Sequence, residues 1–174
     1  MKFREIKRRF RTETAFLNPV VIGIGAGAAV LLGTIFAVGI VGQPAFVYIP
    51  RVALPSFLNV LFQLLSYAAL GAAFGILICM PLYAECSESL RLQKLWGLLL
   101  CACTLILFYL WTPVVCKAGS FFLGVLLCAM ILLSLFVLCF LVRKISVIAV
   151  GILFLSAFWT LYMLYLTLMM LFFA

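Results

Sequence analysis

Apolar residues in this chain fall into five long blocks free of charged residues; half of the charged residues precede the first block and half lie in the short gaps between blocks, together with three of the six prolines. Crossing the hydrocarbon of a bilayer takes a helix of about 20 apolar residues, and each block is at least that long. The blocks cover residues 19–41, 56–83, 95–115, 119–142 and 145–172. The first is too long for the apolar core of a signal peptide, and no small-residue cleavage site follows it, so it reads as a retained helix. Lys117, Ala118 and Gly119 make a very short turn between the third and fourth blocks, and Arg143 and Lys144 make another between the fourth and fifth. Connections this short make the last three helices antiparallel neighbours. The pattern predicts an all-α integral membrane protein, a compact five-transmembrane-helix bundle over residues 19–174 with no internal repeat and no second domain. Residues 1–18 form a basic tail in which Phe3, Ile6 and Phe10 stand at helical spacing, either as an amphipathic surface helix or as a basic arm without structure.

Composition agrees with lipid as the solvent. Hydrophobic residues make up 69% of the 174 and charged residues 9%, against about 25% charged in soluble domains. A water-soluble fold of this size cannot hide so much apolar surface. The net charge of +8 would suit a nucleic-acid binder, but its placement points to an anionic membrane surface instead. Six of the twelve basic residues precede the first block, and the rest lie in the gaps.

The same residues orient the bundle, because cytoplasmic loops carry the excess of Lys and Arg. With the N-terminus inside, ten basic residues fall on the cytoplasmic side and two, Arg51 and Lys117, on the other. Five helices then put the C-terminus outside. The expected location is the cell membrane, and among membranes the bacterial cytoplasmic one.

There is no histidine and no aspartate, and the four glutamates (Glu5, Glu13, Glu85, Glu88) all lie outside the apolar blocks. These absences remove a Ser/His/Asp triad, a buried carboxylate pair, an intramembrane proton relay and a histidine metal site. No resident cofactor is marked. Seven cysteines are scattered, and Cys101 and Cys103, two apart on a helix, diverge by about 200°, which makes them small apolar side chains rather than a chelate.

Polar residues at membrane depth are few. Asn59, Gln63 and Ser66 recur at i, i+4 and i+7 on the second helix, with Tyr67 beside them. An amide facing lipid leaves donors and acceptors unsatisfied, so this stripe faces either neighbouring helices or a ligand cavity. Thr104, Phe108 and Trp111 share a face of the third helix, which Pro113 bends or ends. On the fifth helix Trp159, Met163 (or Tyr162), Leu166 and Met170 share another. Gly23, Gly25 and Gly27 are not a dinucleotide fingerprint, because no strand precedes them. Gly23 with Gly27, and Gly71 with Gly75, read as close-packing faces, used within the bundle or between two chains as a homodimer.

The order of several motifs resembles the translocator protein family, also called tryptophan-rich sensory proteins or peripheral benzodiazepine receptors. Pro55, Ser56 and Phe57, followed by Tyr67 and Gly71, resemble its segment P-[PS]-W … L-Y-x-x-M-G. Trp111, Thr112 and Pro113 resemble N-x-x-W-S-P, and Trp159 resembles the tryptophan of P-Y-L-x-W. Phe57 stands where the family has a tryptophan, and Phe108 stands where it has an asparagine. The resemblance implies a cavity between the helices, opening toward the first loop, that binds porphyrin or haem, sterol-like or benzodiazepine-type ligands. By carry-over its wall includes Phe57, Gln63, Tyr67, Phe108, Trp111, Trp159 and Met163. Arg51, in the loop over the mouth, is placed to pair with a ligand carboxylate.

The expected function is therefore a membrane receptor or transporter for an apolar or tetrapyrrole ligand. The alternatives are a substrate-binding membrane subunit of a vitamin-type uptake transporter, whose usual six helices would put the C-terminus inside, and a structural assembly factor. Without His or Asp an enzyme is the weakest option. Its one version would be light-driven degradation of a bound porphyrin.

Overall fold

The computed structural model describes residues 16–36, 55–80 and 88–173. Residues 1–15 of the basic tail, residues 37–54 with Arg51, and residues 81–87 lie outside the described residues, and with them the expected ends of the first two blocks, 37–41 and 81–83. Five helices run through the described residues, and no strand accompanies them: α1 (Pro19–Ile35), α2 (Ser56–Cys79), α3 (Glu88–Thr112), α4 (Phe121–Val142) and α5 (Val147–Phe173). A π-helical turn, Pro113–Lys117, extends α3. The last four helices are long and apolar enough to cross a membrane, while α1 is a shorter apolar helix of 17 residues. At about 1.5 Å per residue α1 spans about 26 Å. The outward faces are apolar, with Val20, Leu133, Phe136, Phe158 and Phe172 all exposed. In water such a surface would drive aggregation; in lipid it is the ordinary solvent-facing side.

The helix ends follow local chemistry. The Asn18 side chain accepts a 3.0 Å hydrogen bond from the Val20 N–H, and Pro19 opens α1 where its missing N–H costs nothing. Pro113 cannot donate to the turn before it, and the chain widens from there: the Ala118 N–H reaches Pro113 O at 3.1 Å and the Ser120 N–H reaches Val114 O at 3.2 Å. Gly119, with φ at +62°, supplies the left-handed residue that ends this turn. At the other tight turn the Ser146 hydroxyl accepts from the Ala149 N–H at 3.2 Å and caps α5. One boundary differs from expectation. The polar stretch expected as a loop up to Lys94 is helical from Glu88; hydropathy marks where lipid begins, whereas an interfacial helix continues through charged residues.

α2 is the central helix, packed against α1, α3 and α5, and α4 closes the bundle between α3 and α5. The α1–α2 seam is built on small residues. A Cβ placed on Gly25 would sit 2.6 Å from the Gly71 carbonyl oxygen, and one on Gly75 would sit 2.9 Å from the Ile22 Cα. Gly33 gives up the same space to the Tyr67 ring. Within the bundle the packing face of α1 differs from the one expected from sequence. Gly23 and Gly27 have nothing within 4 Å of a Cβ position, and the face that packs is Gly25, Ala29 and Gly33 against Gly75, Gly71 and Tyr67. The Gly71–Gly75 face is the expected one, and it is used within the chain.

These pairings make α1 antiparallel to α2, so the start of α1 lies at the same end of the bundle as the C-terminus of α2. Lys94 is at that end too, its Nζ donating to Met80 O at 2.7 Å and Ile78 O at 3.2 Å. Gly97 approaches Val142 there, which brings in Arg143 and Lys144. Lys117 is at the far end.

Candidate functional site

The polar stripe on α2 faces protein. Ser66 and Tyr67 are buried, and Asn59 and Gln63 are half-buried. The Gln63 amide Nε2 donates to the Tyr67 Oη at 2.7 Å and to the Thr112 Oγ1 at 2.9 Å, tying α2 to the last turn of α3. Tyr67 meets Phe108 edge-on, with ring centroids 6.2 Å apart, and Tyr109 at 5.2 Å. Tyr109 in turn donates to the Ala29 carbonyl at 2.7 Å and stacks on Phe36 at 5.6 Å. The centre of the bundle is thus an aromatic and hydroxyl cluster that joins α1, α2 and α3.

Other buried hydroxyls bond locally. Thr160 donates to Ser156 O and Thr167 to Met163 O, each at 2.7 Å. The Ser156 hydroxyl reaches across to Ser66 O at 3.3 Å, and the Cys101 thiol reaches Leu70 O at 3.5 Å. Thr104 lies 2.7 Å from Leu100 O and 3.0 Å from the Ser134 hydroxyl. Such bonds keep polar groups satisfied in a low-dielectric interior and hold neighbouring helices in register. As expected for residues two apart, Cys101 is buried and Cys103 exposed. Among the described residues no group of His, Cys, Asp or Glu could hold a metal ion.

A second aromatic group lies on the flank of the bundle, between α2 and α5. Phe62 stacks on Trp159 at 5.7 Å and 25°, and Trp159 meets Tyr162 at 5.1 Å and 34°. With Phe158, Leu161 and Tyr165 they line a lateral groove of about 520 Å³ on the outer surface of the bundle, within the usual range for small-molecule sites. Trp159 is only 7% exposed, and its indole Nε1 is a buried donor without a hydrogen-bond acceptor. Buried indole N–H groups ordinarily find one.

Four of the wall residues named from sequence, Tyr67, Phe108, Trp159 and Met163, belong to one buried core cluster with Trp111 packed against it, although their immediate partners differ. Gln63, Tyr67 and Phe108 meet in the central cluster, and Met163 is buried in the core. Trp111 is half-buried beside Gly124 of α4, and its indole Nε1, like that of Trp159, is buried without a hydrogen-bond acceptor. Trp159 lines the lateral groove. Phe57 stands apart from all of them, 75% exposed on the outer side of α2. Arg51 lies outside the described residues. Three residues were missed: Phe62 and Tyr165, which complete the groove, and Tyr109, which completes the central cluster. Phe62 was in principle legible, since it lies one turn before Ser66 on the side of α2 that meets α5.

Two further lateral grooves are apolar. One of about 470 Å³ lies over the α1–α2 seam and reaches Tyr109, and one of about 630 Å³ lies between α4 and α5.

Searches against protein-family models, curated proteins and solved structures find no significant match for this chain.

Proposed function

We propose that this chain is a membrane receptor or carrier that takes a flat apolar or tetrapyrrole ligand from the lipid phase into the groove between α2 and α5. The observation that carries this reading is Trp159. Its ring joins those of Phe62 and Tyr162 in one aromatic surface, and its buried N–H has no acceptor. A conjugated ligand stacks on such a surface. The resemblance in motif order to the translocator protein family points to the same ligand class. The site proposed here is lateral, whereas the resemblance implies a cavity between the helices that opens toward the first loop.

The orientation belongs to the same proposal. Pro19, Arg91, Lys94, Arg143 and Lys144 gather at one end of the bundle and Lys117 at the other, so that the basic end faces the cytoplasm and the C-terminus faces out.

A thermal-shift screen of detergent-purified protein tests the ligand class. Protoporphyrin, haem and a sterol are compared with apolar amphiphiles that carry no ring system. A ligand at about 100 times its dissociation constant stabilises the fold by about 2.7 kcal/mol, a readily measured shift. If no flat ligand stabilises the protein beyond the ring-free amphiphiles, the proposal is wrong.

A further inference from the structure

The groove between α4 and α5 differs from the other two in ending at a charge. Its lining is apolar, from Leu132 and Phe136 through Phe140 on α4 and Val150 through Ala157 on α5, until Arg143 closes one end. The guanidinium lies 4.0 Å from the centre of the Phe140 ring, a cation–π contact that fixes the group at the groove mouth while its N–H edges stay available. Glu88, on α3, is the single acid among the described residues and takes no part in this groove.

The dimensions are informative. From Arg143 to Leu132 is 11 residues, or about 16 Å along a helix. This is about half of the roughly 30 Å hydrocarbon thickness, the depth of one leaflet. Arg143 lies just past the end of α4, as its C-cap residue.

We infer that this groove holds one anionic phospholipid, its acyl chain along Phe136, Val150 and Phe154 and its phosphate on the Arg143 guanidinium. A leaflet-deep apolar channel selects an acyl chain. A planar guanidinium at its mouth selects a phosphate oxygen pair whose charge is not cancelled by a headgroup amine. The site is separate from the Trp159 groove and does not depend on the function proposed for it.

Native mass spectrometry of the detergent-purified full chain tests this, with dioleoyl phosphatidylglycerol and dioleoyl phosphatidylcholine as probes of identical chain composition. The wild-type protein is expected to hold one phosphatidylglycerol about five-fold more tightly than phosphatidylcholine, the size of effect one basic residue has near the headgroups. Arg143→Gln is expected to bring that ratio to about one, and Lys144→Gln, which removes a neighbouring charge outside the groove, to leave it unchanged. Ala157→Trp, which fills the groove, is expected to abolish tight binding of both lipids while Arg143 remains. Equal affinity for the two lipids in the wild type would overturn the inference. So would equal losses in the Arg143 and Lys144 variants, which would mean diffuse attraction to a basic surface. Unchanged binding in the Ala157 variant would place the lipid elsewhere.

Discussion

Gly71 lies against Gly25 so closely that a Cβ on Gly71 would stand 2.7 Å from the Ala29 methyl. This backbone-to-backbone approach lets α1 lie along the most buried helix of the bundle. In lipid no hydrophobic effect drives helices together, so close van der Waals contact of this kind supplies much of the association. Gly71→Val is therefore expected to destabilise the protein by about 1–3 kcal/mol, the usual range for overpacking, or to detach α1. Gly27→Leu, on a face with nothing within 4 Å, is expected to change stability by less than about 0.5 kcal/mol. Thermal unfolding of both variants in the same detergent checks the pair, and equal losses would contradict this packing register.

The contrast between Gly25 and Gly27 also shows where sequence reading stops. A polar residue in an apolar helix declares which side faces protein, because an amide cannot face lipid. That argument placed Gln63, Ser66 and Tyr67 correctly on the inside. Residues 19–35 contain no such marker apart from Thr34, so spacing alone fits Gly23 with Gly27 as well as Gly25 with Ala29. The choice is made by the shape of α2. Phe57 carries no such marker either, since an aromatic ring serves equally as core or as lipid-facing surface. Tyr109 was invisible for another reason: its role depends on the Ala29 carbonyl, 80 positions away. The blocks of the four longer helices were legible because lipid thickness sets their length, but helix ends within the interface were not.

Gln63 joins two helices through one amide. Replacing it by Leu removes its bonds to Tyr67 and Thr112 and leaves both hydroxyls without that donor. Interhelical hydrogen bonds in membrane proteins average about 0.6 kcal/mol and reach about 1.7. Gln63→Leu is expected to cost about 1 kcal/mol. A double-mutant cycle with Thr112→Val, measured by reversible unfolding in mixed micelles, should show coupling of about 0.5–1.5 kcal/mol. Strict additivity would mean that the two side chains do not meet.

Orientation makes a prediction that needs no purified protein. Reporter fusions at the C-terminus should be active when the reporter requires the outer side and silent when it requires the cytoplasm, and fusions after Lys144 should give the opposite result. A cytoplasmic C-terminus would remove the five-span arrangement and favour an even number of spans.

Ligand binding through Trp159 is the central claim, and a porphyrin absorbance titration tests it most directly. The Soret band of protoporphyrin is followed as purified protein is added, for the wild type, Trp159→Ala and Trp96→Ala. Trp96 is an exposed indole on α3, away from the groove, and controls for adsorption to any surface tryptophan. The expected result is a saturable shift at one porphyrin per chain, weakened about ten-fold or more in Trp159→Ala, the equivalent of about 1.4 kcal/mol, and unchanged in Trp96→Ala. A wild-type titration that never saturates, or a Trp159→Ala variant that binds as the wild type does, would contradict the account.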